Sequence, residues 1–262
     1  MKKLALILAL VMVVLTFAAC GTSAEPASKV EEVKEAGQLV LGTSADYPPY
    51  EFHKMIDGED TIVGFDIMIA QKIADEMGVE LVIKDMAFDG LIAALQGGKI
   101  DIVIAGMSAT PEREEVVDFS DQYYFEKQTL LIKKDMMDTY TTIESMDGVK
   151  VGAQTGTIQE ALAQEKLANS PLTSLQDITA LVLELKTGKV EGVVLVQPVA
   201  KGYIAQNPEL AIAEVDLGQS DGASIAVEEG SDLVNTVNEV LADIIESGEL
   251  DQYVYEATLM VD

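Results

Sequence analysis

Asp101-Ile-Val-Ile-Ala-Gly-Met-Ser-Ala-Thr-Pro-Glu-Arg113 carries an apolar run straight into a helix start. Ile102 to Ala105 reads as a short buried strand. Gly106 follows where the strand ends, and a backbone without a Cβ can approach a ligand closely there. Ser108 and Thr110 supply hydroxyls that both donate and accept. Thr110-Pro-Glu has the form of a helix N-terminus, with Thr110 as N-cap and Pro111 at the first helical position. Arg113 falls in that first turn. It is the only arginine; the other basic side chains among the seventeen are all lysine. Backbone N–H groups, two hydroxyls and a guanidinium can converge here on an anion. A guanidinium grips a carboxylate through two parallel hydrogen bonds, which an ammonium cannot do. The alternative at this point is an Arg113 paired with Glu114, Glu115 or Asp118 on a solvated helix face.

On the N-terminal side, Gln38-Leu-Val-Leu-Gly42 reads as a strand ended by glycine. Thr43 to Phe52 is a loop stiffened by Pro48 and Pro49, which turn Tyr47 away from helix. Tyr47, Tyr50 and Phe52 cluster there in a chain with 5% aromatics and no tryptophan. Tyr47 suits a pocket wall or the core edge, and Phe52 suits the core. Ile67 to Met77 has helical apolar spacing with Asp66 as the expected N-cap and Gly78 as the stop. Val79 to Lys84 is a strand, and Phe88 to Leu95 a short helix closed by Gly97-Gly98. This alternation argues for α/β layers.

On the C-terminal side the pattern repeats. Gln128 to Lys133 is a strand, and Gly148-Val-Lys-Val-Gly152 is another. Ala153-Gln-Thr-Gly-Thr157 then leads to a helix over 158–168, whose N-terminus is a second place suited to an anion. Asp177 to Thr187 is a helix stopped by Gly188. Gly192 to Val196 is a buried strand, and Gln197-Pro-Val-Ala starts a helix. Residues 212–215 and 223–227 read as strands, 231–245 as a long helix and 250–255 as a short one. Two α/β halves, each with a Gly/Thr-bearing strand end facing a helix start, suggest a ligand held between the strand ends of two lobes.

The chain has 262 residues, room for two domains. Its net charge of −28 repels nucleic acid and anionic lipid headgroups. With 48% hydrophobic residues that charge does not imply disorder. His53 is the only histidine and Cys20 the only cysteine, so no histidine–cysteine metal cluster and no intrachain disulfide can form. No metal and no cofactor is expected. No motif supports a serine nucleophile with a histidine base, and His53 is read as a surface residue.

Met1-Lys-Lys followed by an apolar run over 4–19 reads as an export signal, too short for a membrane span. Its removal takes two lysines with it and brings the net charge from −28 to −30. Phe17-Ala-Ala-Cys20 resembles a bacterial lipobox, which implies lipid attachment at Cys20; phenylalanine replaces the usual leucine. Residues 20–36 read as a tether with a helix within 30–35.

Six segments in order then carry a resemblance: Ala45-Asp-Tyr-Pro-Pro-Tyr-Glu-Phe52, Gly64-Phe-Asp66, Phe88-Asp-Gly-Leu91, Gly106 to Arg113 with Asp118-Phe-Ser120, Gln154-Thr-Gly-Thr157, and Gln197-Pro-Val-Ala200. Residues 36–262 resemble the polar amino acid solute-binding family of ABC importers (solute-binding protein family 3), whose fold is the type II periplasmic-binding-protein fold. The resemblance implies two Rossmann-like α/β lobes joined by a two-strand hinge. Crossings are expected near 124–128 and 219–223, with lobe 1 as 37–125 plus 221–262 and lobe 2 as 126–220. It implies that Arg113 holds a ligand α-carboxylate with help from Ser108 and the Thr157 N–H. The Gly106 carbonyl would accept from an α-ammonium, Tyr47 and Phe88 would sandwich the side chain, and Gln154 would line the pocket. Phe88 stands where many relatives carry tryptophan.

One departure stands out. The family usually places an acid two residues before Pro198 to pair with the ammonium, and here that residue is Val196. Either the ligand lacks a free α-ammonium, or another carboxylate such as Asp46, Asp177 or Asp221 replaces the acid, or binding is weak. Met68, two after Asp66 where relatives often carry an acid, is a lesser departure.

The implied function is a lipid-anchored, extracytoplasmic, monomeric receptor that delivers an amino acid or related carboxylate to an ABC permease and its ATPase. It is not an enzyme on this reading. The alternatives are a dehydratase-like enzyme on the same fold and a sensory ligand-binding module.

Overall fold

The computed structural model describes residues 28–219 and 221–261. Cys20 and the apolar leader lie outside the described residues. The chain opens with α1 (Lys29–Ala36), capped by the Ser28 hydroxyl and closed by Gly37 at φ 70°. Asp232 accepts from the Ser28 hydroxyl and from the Lys29 and Val30 N–H groups, while Lys29 pairs with Asp101 at 2.8 Å. The helix expected within 30–35 therefore forms, and it is docked against the first half of the fold.

The first half continues with β1 (Gln38–Thr43), β2 (Asp46–Tyr47), β3 (Glu51–Ile56), β4 (Glu59–Val63), α2 (Phe65–Met77) and β5 (Glu80–Asp85). A 3-10 turn over Phe88–Gly90 runs into α3 (Leu91–Gln96), followed by β6 (Ile102–Val103), α4 (Pro111–Glu114) and β7 (Val117–Phe119). The second half holds β8 (Gln128–Lys133), β9 (Val151–Gln154), α5 (Ile158–Lys166), β10 (Leu172–Leu175), α6 (Ile178–Thr187), β11 (Gly192–Val196), α7 (Gln197–Gln206) and β12 (Leu210–Ile212). The chain then returns to the first half with β13 (Ala226–Glu228), α8 (Leu233–Ser247) and α9 (Glu249–Met260).

Two five-stranded sheets result, in the orders β5-β1-β6-β13-β7 and β10-β9-β11-β8-β12. Each has three parallel strands followed by one antiparallel strand in fourth place, β13 in the first and β8 in the second. In both sheets that odd strand comes soon after the chain has crossed between halves. The crossings pair with each other through antiparallel bridges at Tyr124–Ala223 and Lys127–Gln219. This is the two-lobed α/β fold the sequence pattern pointed to.

Helices cover the sheets with apolar faces. Leu233, Val237, Val240, Leu241 and Ile244 of α8 are buried at helical spacing, as are Ile178, Leu181, Val182 and Leu185 of α6. Burying each such side chain contributes about 1.5–3 kcal/mol relative to leaving it exposed.

Several boundaries differ from the sequence reading. The strand expected at 148–152 forms at Val151–Gln154, because Gly148 adopts φ 76° in a turn and joins Asn169 instead of a sheet. The strand expected at 212–215 forms at Leu210–Ile212, the one at 223–227 at Ala226–Glu228, and the helix expected at 250–255 runs over Glu249–Met260. The β3–β4 hairpin was not anticipated. Its signal is the Asp57-Gly58 pair, both at positive φ (53° and 88°), in a two-residue turn linking paired Ile56 and Glu59.

Candidate ligand site between the lobes

The ends of the parallel strands bring the site together. β1 runs into Ser44, β6 into Ala105-Gly106, and β9 ends at Gln154, all facing a cleft between the lobes. The cleft contains about 320 Å³ of empty space. Ser44, Asp46, Tyr47, Glu51, Phe88, Gly106, Ser108 and Arg113 line it from lobe 1, and Gln154, Thr157, Ile158 and Gln159 from lobe 2. Of the eight residues expected at the site, seven converge here. The eighth, Val196, is not among the lining residues. It is buried in the main core and occupies the N-cap position of α7.

Arg113 is placed by its helix start. Thr110 caps α4 by accepting from the Arg113 N–H, and Pro111 fills the first turn. The guanidinium donates to the Ser108 carbonyl at 2.5 Å and, across the cleft, to the Gly156 carbonyl at 3.0 Å. It forms no ion pair with Glu114, Glu115 or Asp118, so the solvated-face alternative does not hold. Its carbon lies 5.3 Å from the centre of the Phe88 ring, within cation–π range. Burial lowers its pKa to about 10, which leaves it a cation at neutral pH without a carboxylate partner.

Gly106 sits at φ 54°, and a Cβ there would come within 2.9 Å of the Tyr47 ring. Tyr47 is held in turn by Tyr50, 5.2 Å away, which stacks on Phe65 at 4.3 Å. The close pass of backbone and ring therefore requires glycine. From lobe 2, Thr157 caps α5 through the Glu160 N–H, and its hydroxyl donates to the Gln154 carbonyl at 2.7 Å. Gln154 is oriented by donating to the Gln176 carbonyl at 2.9 Å. Phe52 packs in a small core with Val63 and Val261, as expected. His53 is half exposed between Asp60 and Asp85, away from the cleft.

Three carboxyls give the site its character, and of these the sequence pointed only to Asp46 as a possible replacement for the acid absent at Val196. Asp66 was expected to cap α2; instead Gly64 stands at the N-cap without a side-chain bond. Asp66 is fully buried, where it accepts from the Gly106 N–H at 2.8 Å and the Tyr123 hydroxyl at 2.8 Å. It thereby braces the glycine of the site. Burial raises its pKa to about 6 against the pull of those two donors. Beside it lies Glu51, also fully buried and on the cleft wall, with no donor to either carboxyl oxygen unless a proton is carried between the two acids. Burial first, then the neighbouring Asp66 and Asp46 charges, pushes Glu51 well above the usual carboxylate range. Asp46 completes the set; burial raises it to about 7, opposed by the Ile178 N–H it accepts. Asp46 and Glu51 both stand in the loop segment that the sequence marks out, but the β2–β3 register pairs Asp46 with Phe52 and Glu51 with Tyr47, on alternate faces, and the burial of the two acids comes from the rest of the fold. Among the described residues no group of His, Cys, Asp and Glu is arranged to hold a metal ion.

The profile of the bacterial extracellular solute-binding proteins, family 3, matches residues 39–256. The chain belongs to this family. It is 34% identical over 259 residues to the arginine-binding extracellular protein ArtP of Bacillus subtilis, covering 96% of each chain. It is 33% identical over 235 residues to a probable histidine-binding protein of Campylobacter jejuni, covering 89% of this chain and 90% of that one. A crystal structure of the amino acid ABC transporter substrate-binding protein AbpA of Streptococcus pneumoniae, bound to L-arginine, superposes with a TM-score of 0.85 at 40% identity, over 88% of this chain and 98% of that one. This family member is thus a solute receptor of an ABC importer and works outside the cytoplasm. Among the described residues no helix is long and apolar enough to cross a membrane.

Proposed function

We propose that this receptor binds a cationic α-amino acid, L-arginine or a close analogue, without turning it over. The observation that carries this is Glu51: a fully buried carboxyl on the cleft wall whose oxygens have no partner beyond a proton shared with Asp66. An isolated buried carboxylate is costly, and a guanidinium or ammonium supplies both the counter-charge and the missing donors. The opposite end of the ligand goes to Arg113, which holds the carboxylate by a two-pronged bond with the Ser108 hydroxyl and the Thr157 N–H. The Gly106 carbonyl accepts from the α-ammonium. Tyr47 and Phe88 flank the side chain, and Gln154 closes the lobe 2 wall. Val196 brings no charge, so Asp46, the cleft's remaining carboxyl, takes over the counter-charge for the ammonium.

The remaining assignments follow the same reading. Residues 37–125 with 221–262 move against 126–220 about the paired crossings, and the ligand favours the closed arrangement by contacting both. Cys20 carries the lipid, and an ABC permease with its ATPase receives the solute. The arginine- and histidine-binding relatives support the ligand class. The raised carboxyls would also suit a general acid, which keeps the dehydratase reading in view; incubation with L-arginine and with cyclic carboxylates separates the two. Recovery of unchanged ligand supports the receptor, and catalytic product formation refutes it.

A further inference from the structure

The two lobes are bonded to each other at places a ligand does not supply. The carboxylate of Asp46, on β2 of lobe 1, accepts the Ile178 N–H of lobe 2 at 2.6 Å. Ile178 is the first residue of α6, a ten-residue helix whose own cap, Asp177, takes the Ala180 N–H at 2.6 Å. The N-terminal N–H groups of a helix have no partners within it and sit at the positive end of its dipole. Asp177 satisfies one of these groups, and a carboxylate from 132 residues away satisfies another. A second bond lies on the same residue: the Tyr203 hydroxyl of α7 donates to the Asp46 carbonyl at 2.8 Å. The adjoining loop is pressed against α7, where a Cβ on Gly202 would come within 3.1 Å of the Pro48 carbonyl.

We infer that Asp46 is a positioning residue for closure: its carboxylate completes the N-terminus of α6, giving the clamp an interlobe bond that forms without ligand. The inference rests on the two-lobe clamp reading but not on the identity of the ligand. Opening the cleft separates β2 from α6 and leaves the Ile178 N–H to water. Part of the closed population, and hence part of the affinity for any ligand, is then set by a bond between the lobes that the ligand does not supply.

Ile178 permits a clean test. Proline at the first helical position removes the donor N–H and suits helix geometry. The preceding Asp177, at φ −116° and ψ 126°, already has the extended backbone that precedes proline. Ile178→Ala is the matched control: it also removes most of the buried side chain but keeps the N–H. The closed fraction of the ligand-free full chain is read from the distance between spin labels on Glu76 of lobe 1 and Leu183 of lobe 2, both exposed, in a Cys20→Ser background. A hydrogen bond to a charged group is worth about tenfold or more in such an equilibrium, so Ile178→Pro is expected to lower the closed fraction relative to Ile178→Ala by that factor. Asp46→Asn and Tyr203→Phe, measured in the same way, should each move the distribution toward open and serve if the proline variant does not fold. Equal distributions for the proline and alanine variants, or no ligand-free closed population in the parent, overturn the inference. If the ligand-free distributions respond as expected but no amino acid shifts them further, the ligand assignment fails while the latch stands.

Discussion

Replacing Glu51 by glutamine should move stability and binding in opposite directions. In the ligand-free protein Glu51 has no donor beyond a proton shared with Asp66, and its charge is opposed by burial and by Asp66. A buried polar group left unsatisfied costs about 1–3 kcal/mol. Glutamine keeps the shape, removes the charge and brings an amide that can donate to Asp66. For a protein of this size each kcal/mol is about 2–4 °C in Tm, so Glu51→Gln should melt several degrees higher at pH 7.5 by calorimetry. The gain should shrink as the pH falls, because burial favours the protonated form of the native carboxyl. With L-arginine the order reverses. Removing one partner of a buried charge pair costs about 2–5 kcal/mol, which is about thirtyfold or more in Kd. Titration calorimetry on both proteins reads this directly. A glutamine variant that binds L-arginine as tightly as the parent would refute the reasoning, because Glu51 would then not face the ligand's charge.

Other consequences are as specific. Arg113→Lys keeps the charge but loses the paired donors, and should weaken ligand binding by about 1.5–3 kcal/mol in calorimetry, the worth of a charged hydrogen bond, while Tm stays nearly unchanged. Gly106→Ala places a Cβ against the Tyr47 ring at a φ of 54°, so it should lower both Tm and affinity. The pH dependence has a definite sign. Glu51, Asp66 and Asp46 have native pKa values above their unfolded ones, with Asp66 at about 6 and Asp46 at about 7. The native state therefore binds extra protons, and their contribution to stability is present at low pH and lost as pH rises through 6–7. Ligand-free Tm should fall from pH 5.5 to 8, and less so in Glu51→Gln. A bound cation draws these carboxyls toward the charged form, so binding should release protons near pH 6.5 and weaken as the pH falls, as titrations in buffers of different ionisation enthalpy would show.

The strand ends, helix starts and doubled pattern were legible because they rest on local chemistry. Thr110 and Thr157 cap helices where their positions require it, and glycines stop α2 and α6. Gly106, Ser108, Arg113 and Thr157 stand beside such punctuation marks, whereas Phe88 and Gln154 were named through the resemblance alone. Asp66 was misread for the same reason: an acid near a helix start is usually a cap, and only the approach of Gly106 and Tyr123, 40 and 57 residues away, shows that it faces inward. Glu51 looked like a loop acid until the fold buried it, and of the three acids weighed as a replacement at Val196 only Asp46 lines the cleft. Val196 was singled out through resemblance, and the structure gives its side chain to the core. Long-range burial, which a single sequence does not display, decides each of these cases.

The most direct test of the central claim is a calorimetric titration comparing L-arginine with L-citrulline, which differs at the end that meets Glu51, and with agmatine, which lacks the carboxylate that meets Arg113. L-arginine is expected to bind, and each analogue to be weaker by about thirtyfold or more, the loss of about 2 kcal/mol at one end of the cleft. Citrulline binding as tightly as arginine would contradict it.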